Sequence, residues 1–263
     1  MYEQHPKFKI PNDENIVIWR YLPLWKFKSL IEQNSLHFAK VSSFNNEGEL
    51  SPFNDTHRRE FYLKEQFANE EQFNLFLHTI PITNRISNMK YRDLLLINCW
   101  HFDEDVNDIM WNKYGEIAIK STYRQLRDSF QDNTDDVIWI GEIDYADIHT
   151  QWMDESNAFS PFFIKGNTDK YERELRVATC LPDDNNSIKV LSDADKEREK
   201  HTSSKKKILN TNELTDYGKL VEINLDILID TIHIDSKADS HCVDKIKEIC
   251  AKNSLNKEII PHI

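Results

Sequence analysis

Glycine is scarce in this chain, with five residues in 263. Phosphate-cradling loops of the Walker or dinucleotide-binding kind need several glycines at fixed spacing, so both are excluded. Turns must rely on Asn, Asp and Pro instead. Cysteine is equally sparse: Cys99, Cys180, Cys242 and Cys250 form no C-x-x-C pair. That usage points to a reduced, cytoplasmic protein without a structural zinc site. The histidines lack H-x-H and H-x-x-x-H spacing, so no dedicated metal centre is expected. A G-x-S-x-G nucleophile motif is absent. No uninterrupted apolar run approaches the length of a membrane span, and the opening MYEQHPKFKI has no signal-peptide core.

What is present is acidic. Lys and Arg number 33 against 45 Asp and Glu, a formal charge of −12. Such a balance argues against non-specific coating of nucleic acid but leaves room for a local basic groove. The chain is long enough for one sizeable core, and a single domain over 1–263 is expected. Two stretches stand apart from that core. Residues 56–93 are charged with recurring Phe and predict a helical insertion. Residues 193–207 contain no large apolar side chain and predict a charged, mobile excursion.

Elsewhere the pattern alternates between strand and helix character. Ile16–Tyr21, Leu36–Val41, Leu94–His101 and Val137–Tyr145 have the β-branched and aromatic content of strands. Leu94–His101 is apolar enough to be buried on both faces. Phe27, Leu30 and Ile31 share one helix face, as do Val243, Ile246 and Ile249 in a helix over Ser240–Lys252. The last residues, EIIPHI, predict an edge strand. The mixture is irregular, which makes the fold class α+β, with mixed, mainly antiparallel sheets and helices packed around a cleft.

The stretch KGNTDKYERELRVATC, from Lys165 to Cys180, holds the densest cluster of candidate chemistry. Read as a strand from Glu172, it places Glu172, Glu174 and Arg176 on one exposed face and Leu175 and Val177 on the buried one. The two carboxylates would then lie roughly 6.5 Å apart along the strand. That face is either a solvated strand with local ion pairing or the floor of a polar cleft. Arg20 is the one charge in an apolar strand and can snorkel, or grip a phosphate or carboxylate. Ser121 sits at a strand-to-helix junction, where Thr122 and Gln125 match a capping box. Trp111 and Tyr114 stand three apart on a short helix, as core or as an aromatic platform for a base.

Several of these segments resemble a bacterial family catalogued as domain of unknown function 2971. IWRYLPL…LIEQNSLHFAKVSSFNN is similar to that family's opening, DIMWNKYG to its Met-Trp-x-x-Tyr segment, and KYERELRV to its E-x-E-x-R strand. The family loop F-N-D-P-F-E is altered here to Phe44-Asn45-Asn46-Glu47-Gly48-Glu49. More distantly, Arg20, Ser121-Thr122 and Glu172-x-Glu174 resemble, in order, the motifs of ADP-ribosyltransferases of the Arg–Ser–Glu class. The third residue of the serine motif is Tyr123 here.

That second resemblance implies an ADP-ribosyltransferase-like fold and a reaction. Arg20 and Tyr21 would bind NAD as substrate, with Trp111 or Tyr114 against its ring, and Ser121 would brace Glu174. Glu174 would stabilise the ribosyl cation as nicotinamide leaves, and Glu172 would accept the proton of a macromolecular acceptor, protein or nucleic acid. No metal and no membrane are involved, and a toxin or phage-defence effector is the implied setting. Two other functions fit the same residues. One is a non-catalytic module that binds a nucleotide or a protein. The other is a metal-dependent nuclease using Glu172, Glu174 and Asp144.

Overall fold

The computed structural model describes residues 1–44, 69–72, 74, 94–130, 136–147, 159, 162–181, 214–215 and 218–262. The insertion expected over 56–93 lies almost wholly outside these residues, and the excursion expected over 193–207 lies entirely outside them. Most of the altered loop Phe44–Glu49 does too; only Phe44 is described.

The fold is mixed α+β, built on one large and mostly antiparallel sheet. Its strands are β1 (Val17–Leu22), β2 (Ser35–Lys40), β3 (Leu95–Phe102), β4 (Ile117–Thr122), β5 (Trp139–Glu142), β8 (Glu174–Cys180), β9 (Leu214–Thr215), β10 (Gly218–Glu222), β11 (Thr231–Ile234) and β12 (Glu258–Pro261). The main path runs β12-β11-β4-β1-β3-β2-β10-β9, with β8 and β5 branching from β3. Among the described residues, only the β11–β12 ladder of this sheet is parallel. The closing segment is thus an edge strand, as its sequence predicts. A separate parallel pair joins β6 (Asp144–Ala146) to β7 (Ile164–Gly166).

The strand expected over Val137–Tyr145 is therefore two strands in two sheets. The break falls at Ile143, whose N–H turns to the carbonyl of Glu174 at 3.0 Å while that of Asp144 goes to Phe163 at 2.9 Å. Period-2 alternation continues through such a switch, which is why the sequence conceals it.

Helix α1 (Leu24–Gln33) buries Phe27, Leu30 and Ile31 at the i, i+3, i+4 spacing of one face. Its preceding Pro23 offers no side-chain cap; Glu116 Oε1 accepts the Leu24 N–H at 3.1 Å instead. It ends at Asn34 in the left-handed region, a common stop. Helix α2 spans Asp108–Tyr114 and α3 spans Tyr123–Ser129, where Thr122 accepts the Gln125 N–H as the capping box requires. The single turn α4 (Leu225–Leu228) leads back to the sheet, and α5 covers Ser240–Lys252, packing against α1.

The main core lies between one sheet face and these helices, from Ile18, Leu96 and Trp100 through Ile119 to Val177, Ile232 and Ile246. A second cluster of Phe8, Ile97, Phe162 and Phe163 covers the opposite face, and a third gathers Trp19, Tyr21, Met110 and Trp111 around α2. Strand β3 is the hub. From Leu95 to His101 it pairs with β8 on one edge. On its other edge, β2 takes Leu96 and Ile97 while β1 takes His101 and Phe102. Asn98, Cys99 and Trp100 are left between them, where the sheet forks.

Gly115 fixes α2 against the root of this fork. Its φ is +137°, and a Cβ there would meet Pro23 N at 2.4 Å and Leu22 C at 2.5 Å. Gly115→Ala should therefore lose about 3 kcal/mol or more, lowering the melting temperature by roughly 6 °C or more. An unchanged melting temperature would mean that the helix end and β1 do not meet so closely.

Candidate functional site

The fork opens into a cavity of about 670 Å³. Its walls come from β1, α1, β2, β3 and β8, with Tyr114 from the end of α2 and Lys165 from β7. Three of those segments diverge around the unpaired stretch of β3, so the cavity follows from the branching of the sheet.

Asn98 and Arg20 close the exposed backbone at the fork. Arg20 Nη1 donates to the Cys99 carbonyl at 2.6 Å and to Asn98 Oδ1 at 2.9 Å. Asn98 Nδ2 donates to the His37 carbonyl at 2.9 Å, and Trp100 Nε1 donates to Asn98 Oδ1 at 2.9 Å. The guanidinium thus supplies a donor that a neighbouring strand would otherwise provide. Its Nε and Nη2 have no hydrogen-bond partner among the described residues, and the side chain lines the cavity. Burial lowers its pKa to about 10. No carboxylate acts on it among the described residues.

The Glu-x-Glu segment is built differently from its expected form. Glu172 ends a 3₁₀ turn over Asn167–Glu172, Arg173 takes the left-handed conformation at φ 42°, and only Glu174 opens β8. The two carboxylates are not neighbours on one strand face, and neither is exposed: Glu172 is 1% accessible and Glu174 is 3%. One ammonium holds both, with Lys165 Nζ 2.5 Å from Glu172 Oε2 and 3.0 Å from Glu174 Oε2. Lys113 Nζ takes the other oxygen of Glu172 at 2.5 Å. Arg176 grips Glu174 with Nε at 2.6 Å and Nη2 at 3.1 Å, and also donates to the Phe162 carbonyl. Three cations therefore surround two carboxylates.

Charge sets the protonation states in this cluster. Burial opposes ionisation of Glu174, but Arg176 and Lys165 outweigh it and hold the carboxyl well below the usual range. Glu172 is also lowered, burial again being outweighed, here by its two lysines. Beside them, burial and the nearby Glu174 push the Cys99 thiol up to about 12, so it stays protonated. Burial lowers the His101 pKa, and its Nδ1 lies 2.9 Å from the Glu172 carbonyl.

Of the residues singled out from sequence, Arg20, Tyr21, Tyr114, Glu174 and Arg176 line this cavity. Arg20 and Glu174 lie on strands separated by β3 rather than on adjacent ones. By register they also leave opposite faces of the sheet: Ile18, the strand neighbour of Arg20, pairs with Phe102, whereas Glu174 pairs with His101. They reach the same space through the fork. Glu172 is sealed behind its lysines. Trp111 is core, stacked edge-on to Tyr21 and His262. Ser121 is fully buried and donates to the Leu228 carbonyl at 2.5 Å, so it does not brace Glu174. Asp144 is exposed on β6, and no metal-ligating group of three is found among the described residues.

Sequence reasoning passed over Asn98, Lys165, Lys26, His37 and Trp25, all of which line the cavity. Asn98 carried a usable signal, an amide inside the apolar run LLLINCWH, because a buried amide must find partners. A scan against protein-family models gives no match, and no curated protein or solved structure is significantly similar.

Removing one partner from a buried ionic cluster leaves uncompensated charge. Glu174→Gln should therefore destabilise the protein by about 3–5 kcal/mol in urea unfolding at pH 7. Because the folded pKa of Glu174 lies below its ordinary value of 4.5, its contribution is present above that value and is lost as pH falls below it. The gap between wild type and variant should shrink on acidification from pH 4.5 downward. A gap that stays constant there would show that Glu174 does not carry the charge.

Proposed function

We propose that the cavity binds a phosphorylated nucleotide, NAD among them, and that the protein acts as a recognition module. The observation that carries this reading is Arg20: a positioned guanidinium, anchored through one nitrogen, open through the others, and unpaired by any described carboxylate. Guanidinium groups of this kind suit phosphate oxygens. In a chain of net charge −12, a cationic cleft focuses an anionic ligand onto one place. Tyr21, Tyr114, Phe44 and Trp25 add aromatic wall for a base or ribose.

The convergence of Arg20, Tyr21, Tyr114 and Glu174 also supports a second reading, the ADP-ribosyltransferase one, with its toxin or phage-defence setting and a macromolecular acceptor. Glu174 and Glu172 weigh against it. A ribosyl cation needs net negative charge beside it, whereas both oxygens of Glu174 are engaged and the surrounding cluster has more cations than carboxylates. A general base needs a pKa near the working pH, and that of Glu172 is lowered. Binding without turnover fits these groups better. The nuclease reading is weakened in the same way, because two of its three donors, Glu172 and Glu174, are already committed to lysine and arginine.

Calorimetry with NAD, ADP-ribose and adenosine monophosphate tests the proposal. All should bind, more weakly as salt rises. Arg20→Gln should weaken them about tenfold to a hundredfold, the range of a charge-assisted hydrogen bond. No binding by any nucleotide would overturn the proposal. Nicotinamide release from NAD by wild type, with chelator present and cell extract as a source of acceptor, would replace it with the transferase reading.

A further inference from the structure

We propose that Lys26 and His37 join Arg20 in a phosphate subsite at the α1 end of the cavity, with the Trp25 indole at its rim as the stacking surface for the ligand's base. The inference deepens the nucleotide reading and rests on it. Arg20 enters from β1, Lys26 from the first turn of α1 and His37 from β2, and all three line the cavity. Three different elements, two of them strands that diverge at the fork, thus each contribute one basic group to the same cavity.

Arg20 acts on both of its neighbours, and Lys26 on His37. Burial lowers the Arg20 pKa, and partial desolvation at the cavity wall lowers those of Lys26 and His37 although their side chains stay exposed; Arg20 lowers Lys26 and His37 further, and Lys26 lowers His37 further still. No carboxylate offsets this repulsion among the described residues. Lys26 bears a second unfavourable interaction. The first turn of α1 holds no acid, and the positive end of a helix disfavours a cation placed there. A phosphate dianion relieves both. It accepts from the open guanidinium nitrogens, pairs with the ammonium and accepts an imidazole N–H.

Trp25 completes the subsite. It is 68% exposed although it is large and apolar, and Lys26 Nζ lies 5.3 Å from its ring centroid. An indole left in water beside a cation, at the edge of a cavity, offers a base a stacking surface next to its phosphate.

The test separates phosphate from base. Affinities of the full chain for adenosine and for adenosine monophosphate are measured by displacement of a fluorescent nucleotide, and their ratio isolates the phosphate contribution. Lys26→Gln and His37→Gln should each cut the monophosphate affinity about tenfold and leave adenosine unchanged. Trp25→Ala should instead weaken both ligands by the same factor, about tenfold. Lys26, His37 and Trp25 are exposed side chains, so wild-type melting temperatures should accompany these losses. Tight nucleotide binding with an unchanged ratio in Lys26→Gln and His37→Gln would overturn the subsite while the nucleotide reading stands. Absence of nucleotide binding by wild type would overturn both.

Discussion

A strand can pair with two neighbours, and β3 has three. The branching leaves the backbone of Asn98, Cys99 and Trp100 without a strand on one edge, in the middle of the protein, where unpaired peptide groups are costly. Arg20 and Asn98 meet that constraint with side chains: one donates to the Cys99 carbonyl, and the other bridges the guanidinium to the His37 carbonyl on β2. The cavity exists because the gap is closed by side chains rather than by another strand. Arg20 is consequently a structural donor through one nitrogen, and in the proposed reading its other nitrogens serve the ligand.

The local rules of the chain were largely legible. Periodicity located α1 and α5, the Thr122–Gln125 box marked the start of α3, and the doubly buried run became β3 with partners on both edges. Misreadings arose where a local pattern fits two geometries. KYERELRV alternates as a strand does, yet Arg173 in the left-handed region ends one element and starts another. The side of Glu172 that alternation would expose is covered by Lys113 and Lys165, which arrive from α2 and β7. Such contacts depend on topology, and no spacing within the motif encodes them. Ser121 failed for the same reason, since its partner, the Leu228 carbonyl, is 107 residues away.

The cavity has two poles with opposite electrostatic logic. At the Glu174 pole every charge has a partner: Arg176 and Lys165 on Glu174, Lys165 and Lys113 on Glu172. Desolvating five charged groups is unfavourable, and their mutual attraction offsets it only while all are present. That pole locks the 3₁₀ turn, β7 and β8 together and explains why its carboxylates stay ionised without being available. At the Arg20 pole the charges, those of Arg20 and Lys26, are of one sign and unpaired by any carboxylate among the described residues. Burial first, and then the nearby Arg20 charge, lowers the Lys26 and His37 pKa values there.

Asn98 shows that the imbalance is not forced by the fold. Its Oδ1 already faces Arg20 Nη1 at 2.9 Å, so an aspartate in its place would pair the arginine and quiet the whole pole. An aspartate, however, would have no N–H for the His37 carbonyl and would cancel the positive charge at the mouth of the cavity. The amide keeps the backbone bridge while leaving the guanidinium's charge intact. A group arranged for stability alone would resemble the Glu174 pole, with acids matched to bases. Unpaired cations held together in a cleft are instead what the proposed phosphate site calls for, with its counter-charge supplied by the ligand.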